Sequence, residues 1–261
     1  MINPLKLSVE VNRIVCREEH GIFLRRYWRF RGGKWYGGIA TADCVGCNLR
    51  CKFCGPVLYM TKNKLIGEFK TPEEVAKRLV NIAFKKNYRY VRVSGGEPTI
   101  CIEHLFQLLE IIGDYPFVFI LETNGILIGH DKSIAKRLSN YENVHVRVSL
   151  KGTNREEFQR LSMAYEEFFD YQLRALENLL NYGVSFHPAV VASFTSSENI
   201  NKLKKVLAEI DKEMAENLEI EYIVLYPHVI ESLKRHGLVP TKAYTVDWEL
   251  IDSNEFIARY L

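Results

Sequence analysis

The apolar positions along this chain change period several times. Leu5, Leu7, Val9 and Val11 alternate with polar residues, which predicts a short strand over 5–15, with Ile22-Phe23-Leu24 placed to pair with it. Residues 37–43 (GGIATAD) are small and mostly apolar and predict a buried strand. Beyond residue 70 the period swings between 3.6 and 2. Thr71 is a good helix N-cap, Pro72 suits the first turn, and Glu74 completes a capping box. Val75, Leu79, Ile82 and Ala83 form one stripe of that helix, and Asn87 ends it. Strands are predicted over 90–94, 117–122, 144–150, 184–193 and 218–226, and helices over 103–112, 131–138 and 200–216. Asn154 starts a long helical region to 181, with Glu157 placed for a capping box and a break near 168–170. Strand and helix alternate through short turns, which predicts an α/β fold on a parallel sheet. Six β–α steps are too few for the usual eight-unit barrel. Residues 1–36 read as a short N-terminal β extension, 37–239 as the barrel-like body, and 240–261 as a mostly surface tail.

Composition narrows the class. The chain has 261 residues, 47% of them hydrophobic, enough for one domain with a large core. Its 35 basic and 32 acidic residues leave a net charge of +3, too even to mark a nucleic-acid binder by charge alone. No apolar run approaches the ~18 residues of a membrane span. The N-terminus MINPLKLSVEVNR lacks the apolar core of a signal peptide. A cytoplasmic location is therefore expected, where thiols stay reduced and disulfides are rare. One stretch stands out: between Arg25 and Tyr36 five cations interleave with five aromatics. It reads either as an amphipathic antiparallel strand or as a grip for phosphates and bases.

Cys47-x3-Cys51-x2-Cys54 carries the chemistry. Three thiolates in one short loop can hold three corners of an iron–sulfur cube and leave one iron open, whereas such clusters ordinarily take four cysteines. An open metal position marks chemistry more often than structural support. A zinc site one ligand short, or three clustered core cysteines, are the competing readings; no second C-x2-C or histidine pair follows to complete a zinc motif. Cys44 could serve as a fourth ligand, which would make the chain a non-catalytic electron carrier or redox sensor. It falls in the strand rather than the loop, which argues against ligation. Cys16 and Cys101 have no partners at ligand spacing and read as packing residues. One β–α unit later comes Ser94-Gly95-Gly96-Glu97-Pro98-Thr99.

The cysteine loop, with Phe53 before its last cysteine, and the Gly-Gly-Glu-Pro segment together resemble the radical S-adenosylmethionine (radical SAM) enzymes. RFRGGKWYGGIATADCVGCNLRCKFC and LETNGILIG are similar to small archaeal radical SAM proteins of unassigned function and to the activating enzymes of glycyl-radical proteins. The resemblance implies a partial, open (βα)6 barrel. It implies a [4Fe-4S] cluster on Cys47, Cys51 and Cys54, S-adenosylmethionine on the open iron, and a ferredoxin- or flavodoxin-like reductant. The expected chemistry is one-electron cleavage of the cofactor to a 5′-deoxyadenosyl radical, which removes hydrogen from an unactivated C–H bond. The protein orients the partners while the cofactor supplies the chemistry.

Site residues follow from strand ends, where parallel barrels gather their active groups. Gly95 and Gly96 allow close backbone approach, and with Glu97 they are expected to accept hydrogen bonds from the cofactor ammonium. Lys151, with Ser149, is placed for its carboxylate or for the substrate. Thr123 and Asn124 are placed for the ribose, and Phe53 to cover cluster and adenine. His187 reads as a satisfied core residue. The substrate stays open between a protein or peptide, RNA or a nucleotide, and a small metabolite.

Overall fold

The computed structural model describes residues 1–54 and 66–261. Residues expected as a first strand form helix α1 (Pro4–Val15) instead. Asn3 decides this: its side chain accepts hydrogen bonds from the Leu5 and Lys6 amides, and Pro4 fits the first turn. Val11 belongs to both periodicities, but Val9, inward in a strand, is 54% exposed. The buried set Pro4, Ser8, Val11 and Val15 is helical in spacing. The partner of β2 (Ile22–Gly33) is therefore β1 (Cys16–Glu19), across a two-residue turn of His20 and Gly21, both at positive φ.

Strand β2 also runs antiparallel to β3 (Ile39–Cys44) and to β4 (Glu68–Lys70). From β3 onward the sheet turns parallel. Helix α2 (Pro72–Lys86) follows with the full capping box of Thr71 and Glu74, and Asn87 closes it in the left-handed conformation. Next come β5 (Tyr90–Gly95), α3 (Ile102–Gly113), β6 (Val118–Thr123), α4 (Ile126–His130), α5 (Lys132–Leu138), β7 (Val144–Leu150), α6 (Arg155–Ser162), α7 (Phe168–Asn181) and β8 (Phe186–Val191). Then follow α8 (Ser197–Ile210), α9 (Lys212–Glu216) and β9 (Glu219–Glu221). The parallel strands lie in the order β3-β5-β6-β7-β8-β9, and β9 does not return to pair with β3, so the six-strand barrel is open. Helix α10 (Pro227–His236), the hairpin β10 (Lys242–Tyr244) with β11 (Leu250–Asp252), and α11 (Ser253–Tyr260) complete the chain.

Several boundaries differ from expectation. The 154–181 region breaks earlier, at Met163 with φ 62°, and Glu157 is not the partner in a capping box. Its carboxylate instead takes hydrogen bonds from Thr153 and Thr195. The 200–216 helix divides at Asp211, which caps α9. Helices α4 and α10 were not foreseen, and the tail is folded rather than loose. Cys16 and Cys101, read as packing residues of a reduced chain, form a disulfide that closes 85 residues. Their distance in sequence hid a pairing that only the docking of α1 beside the Pro98–Cys101 turn creates.

The strands have two unlike faces. Ala40, Ala42, Val91, Val93, Phe119, Leu121, Val146, Val148 and Leu150 join the helices in one core. The residues between them, Thr41, Asp43, Arg92, Glu122, Arg147 and Ser149, point to the inner side of the open barrel. Alternation along a strand requires this division. Helix α4 crosses α7 closely at Gly129, where a Cβ would overlap the Tyr171 carbonyl. Gly129→Ala should therefore cost roughly 1–3 kcal/mol and lower Tm by about 3–10 °C. Gly113→Ala, with open space around it, should leave Tm unchanged or slightly raised. Unfolding the metal-free chain without reductant should expose four reactive thiols, and six after reduction; six before reduction would exclude the disulfide.

Candidate active site

The cysteine loop leaves the C-terminal end of β3 and is held by its backbone. Arg50 N–H donates to the Ser162 carbonyl at 3.2 Å and Lys52 N–H to that of Leu161 at 2.9 Å, so the end of α6 carries the loop. Arg50 folds back and donates to the carbonyls of Cys47 and Leu49, both at 2.8 Å. Cys47, Cys51 and Cys54 are not joined in disulfides. Burial pushes Cys47 up to about 12, with the Glu97 carboxylate and Cys54 adding to it against a hydrogen bond from the Leu49 amide. Burial also pushes Cys51 up; Lys151 opposes this, while Cys54 and Cys47 reinforce it. Three neighbouring thiols, Cys51 buried and Cys47 and Cys54 half-buried, form a donor set whose mutual repulsion when charged a cationic group would relieve. Among the described residues no group of three or more His, Cys, Asp or Glu side chains is drawn together as a metal site. Cys44 is turned away, its sulfur 3.4 Å from an Arg25 nitrogen.

The Gly-Gly-Glu turn lies directly against this loop. Gly96 N–H donates to the Cys44 carbonyl at 2.9 Å and Glu97 N–H to the Gly46 carbonyl at 2.7 Å. Gly95 sits at φ +92°, and a Cβ on Gly96 would overlap the Gly46 backbone. The glycines are thus required by the crossing of two main chains. Glu97 is buried and accepts four hydrogen bonds: from the Thr99 amide and hydroxyl at 3.2 and 2.6 Å, the Thr123 hydroxyl at 2.6 Å and the Asn124 amide at 2.8 Å. Thr123 and Asn124, placed for a ribose by sequence, are directed at this carboxylate. The Asn124 side chain donates to the Asn48 carbonyl oxygen at 2.6 Å, beside Cys47. Among the described residues the buried Asn48 amide nitrogen has no hydrogen-bond partner, which leaves a donor over next to the thiols.

Lys151 donates to the Ser149 hydroxyl at 2.6 Å, and its charge reaches Cys51. Phe53 is buried against Phe194, ring centres 5.7 Å apart. Cys47, Cys51, Cys54, Glu97, Thr123, Asn124, Ser149 and Lys151 therefore gather at one rim. Two members escaped the sequence reading. Asn48 lay inside the motif but was read only as spacer. Gln172, fully buried, donates to the Asn124 and Ser149 carbonyls and accepts from the Lys151 amide. Its signal was a polar residue within the apolar stripe of α7.

Residues 43–210 match the radical SAM superfamily. The chain belongs to that superfamily. Its relatives include a probable GTP 3′,8-cyclase of Thermococcus kodakarensis, 35% identical over 44% of this chain and 35% of the relative. A probable GTP 3′,8-cyclase of Methanococcus maripaludis is 26% identical over 74% of this chain and 59% of its own. A probable RNA methyltransferase RlmN of Malacoplasma penetrans is 35% identical over 30% and 23%. The chain thus spans less than two thirds of each. Among solved structures, anSMEcpe with bound S-adenosylmethionine and a peptide aligns over 70% of this chain and 49% of its own, at 25% identity and TM-score 0.52. A spore photoproduct lyase shares the fold over 82% of this chain and 65% of its own, at 15% identity and TM-score 0.58. Radical SAM proteins are enzymes that use a [4Fe-4S] cluster, S-adenosylmethionine and a reductant, and the three-thiol loop fits that equipment. No described helix is long and apolar enough to cross a membrane.

Below the rim, the inner face is lined with ion pairs that the sequence reading did not connect. Arg29 and Arg31 pair with Asp43, Arg92 with Glu122, and Arg147 with Glu219 and Glu221. His187, expected as a core residue, bridges Glu219 at 3.0 Å and His145 at 2.7 Å. Within the Arg25–Tyr36 stretch Arg25 and Arg26 donate to backbone oxygens and Arg29 and Arg31 pair with Asp43, while Lys34, Trp35 and Tyr36 are exposed. Burial alone would raise Glu219, but hydrogen bonds from His187 and Arg147 outweigh it and hold the carboxyl at about 2. A carboxyl depressed on folding stabilises the native state above its ordinary value and loses that contribution as pH falls through the folded one. Glu219→Gln should lower stability at neutral pH and flatten the loss between pH 4.5 and 2, as read by denaturant titrations at stepped pH.

Proposed function

We propose that this enzyme cleaves S-adenosylmethionine reductively and takes a hydrogen atom from a small polar substrate held inside the open barrel. The division into an N-terminal extension at 1–36, a barrel at 37–239 and a C-terminal segment at 240–261 belongs to the same reading. Cys47, Cys51 and Cys54 hold the cluster. The carbonyls of Gly95 and Gly96 take up the cofactor ammonium, with the Glu97 carboxylate, whose four hydrogen bonds hold the turn, supplying negative charge close by. Thr123 and Asn124 keep that carboxylate oriented, and Asn124 also borders the ribose. Lys151, steadied by Ser149, faces the cofactor carboxylate, and Phe53 covers the adenine. Bound together, cluster and cofactor supply one-electron sulfonium cleavage and a carbon-centred radical. The chain's own part is to orient the C–H bond and keep other donors out.

The observation that carries the substrate reading is the charge balance of the inner face. Four arginines, 29, 31, 92 and 147, meet four carboxylates, 43, 122, 219 and 221. Such a lining offers hydrogen bonds of both kinds and no surplus of either sign. It suits a zwitterionic or neutral polar molecule better than a polyphosphate, which sets it apart from the substrate named for the GTP cyclases. A peptide segment is the second reading, favoured by the peptide-bound relative of this fold.

Anaerobic reconstitution, followed by dithionite and cofactor, tests both levels. Alanine at Cys47, Cys51 or Cys54 should abolish cluster absorbance and 5′-deoxyadenosine release, while Cys44→Ala keeps both; loss of iron from Cys44→Ala would favour a four-cysteine electron carrier. Deuterium transfer into 5′-deoxyadenosine from labelled metabolite or peptide pools identifies the substrate. Glu122→Gln should still cleave the cofactor but lose ~10-fold or more of that transfer, as a misoriented substrate would.

A further inference from the structure

Arg25 stands outside every motif, yet its guanidinium lies at the centre of the molecule's chemistry. The residue is 1% exposed. Buried arginines are ordinarily matched by a carboxylate, but among the described residues Arg25 has no carboxylate at ion-pair distance. One terminal nitrogen donates instead to the carbonyls of Val45 and Glu97, both at 3.0 Å, and to that of Gly46 at 3.4 Å, with the Cys44 sulfur also at 3.4 Å. The other faces the Cys16 sulfur at 3.9 Å, and among the described residues the Nε has no hydrogen-bond partner. Gly46 immediately precedes Cys47. An uncompensated cation is thus fixed behind the first thiol of the loop, where only carbonyl dipoles and sulfurs meet it.

We propose that Arg25 is a positioning residue for the iron–sulfur cluster. It ties the cysteine loop to the Gly-Gly-Glu turn, and its charge stabilises the electron that the reduced cluster must carry. The inference rests on the three-cysteine cluster reading above. One electron from a ferredoxin- or flavodoxin-class donor makes the loaded site one unit more negative. Arg25 is a buried cation tied to the backbone of both segments, through the Val45 and Gly46 carbonyls on the loop side and the Glu97 carbonyl on the turn. Removing the charge should make reduction harder and move the midpoint potential to more negative values.

The test uses the full chain, reconstituted anaerobically with iron and sulfide. Arg25→Met and Arg25→Lys are compared with the parent by iron content and by redox titration followed by electron paramagnetic resonance. Arg25→Met is expected to keep iron, shift its midpoint negative and give several-fold less reduced signal at a fixed dithionite ratio. Arg25→Lys, which keeps the charge without the fork, is expected to stay near the parent potential. Iron loss from Arg25→Met alone, with Arg25→Lys loaded and at the parent potential, also supports the assignment. An unchanged potential in Arg25→Met overturns it. So does an equal shift in both variants, or iron loss from both, since these leave only a structural clip. Iron in Cys47→Ala at the parent level would instead sink the cluster reading itself, separately from Arg25.

Discussion

The site depends on one crossing of main chains. The Gly95–Glu97 turn lies so close to the end of β3 and the start of the cysteine loop that two amide–carbonyl bonds join them, at 2.9 and 2.7 Å. A side chain at 96 would occupy the space of the Gly46 carbonyl. This crossing fixes the loop relative to the second strand, and the second strand relative to the third, through Glu97 and its bonds to Thr123 and Asn124. A buried carboxylate is tolerable only when its lone pairs are occupied. Here the occupants are the Thr99 amide and hydroxyl of its own turn and the Thr123 hydroxyl and Asn124 amide at the next strand end. Order at the cysteines thus descends from three strands at once, the kind of preorganisation that a reactive intermediate demands.

Much of this was legible in the sequence, because local signals and global architecture agree there. Thr71, Glu74 and Asn87 mark the ends of α2 by rules that need no tertiary context. The six parallel strands follow from alternation between helical and extended periods, and the site residues from their places at strand ends. The failures have a common physical origin. Helix α1 turns on a single capping side chain, Asn3, that outweighs a pattern compatible with both periods. Gln172, Arg25 and the Cys16–Cys101 pair acquire meaning only from contacts distant in sequence. The charges of the inner face looked like ordinary strand polar positions until the strands were set side by side.

That inner face shows how a polar chamber persists inside a packed domain. Single buried charges would each be costly, but every strand offers its charge to a neighbour, so Arg92 meets Glu122 and Arg147 meets Glu219 and Glu221. Paired buried charges add little net stability compared with apolar packing. Retaining them therefore points to a use for polarity there rather than to a need for strength. Gln172 makes the same point from the helix side, giving up an apolar position to hold the strand ends at Asn124, Ser149 and Lys151.

The N-terminal extension then takes on a different character from a mere edge to the sheet. Val11 and Val15 of α1 pack where Gly46 leaves no room for a side chain, and Asn12 donates to the Ile100 carbonyl just beyond Glu97. The Cys16–Cys101 bridge fastens the same two regions covalently. Strand β2 contributes Arg25 to the loop backbone, and Arg29 and Arg31 to Asp43 on the inner face. The contacts of α1 and Arg25 meet the backbone around the cysteine loop and the Gly-Gly-Glu turn, whereas those of Arg29 and Arg31 reach the inner face. A segment that buttresses the crossing in this way governs how rigidly the thiols are held, even though none of its residues belongs to a motif. Of the interleaved arginines and aromatics, Arg25 and Tyr27 form the inside of that buttress, while Trp35 and Tyr36 stay exposed.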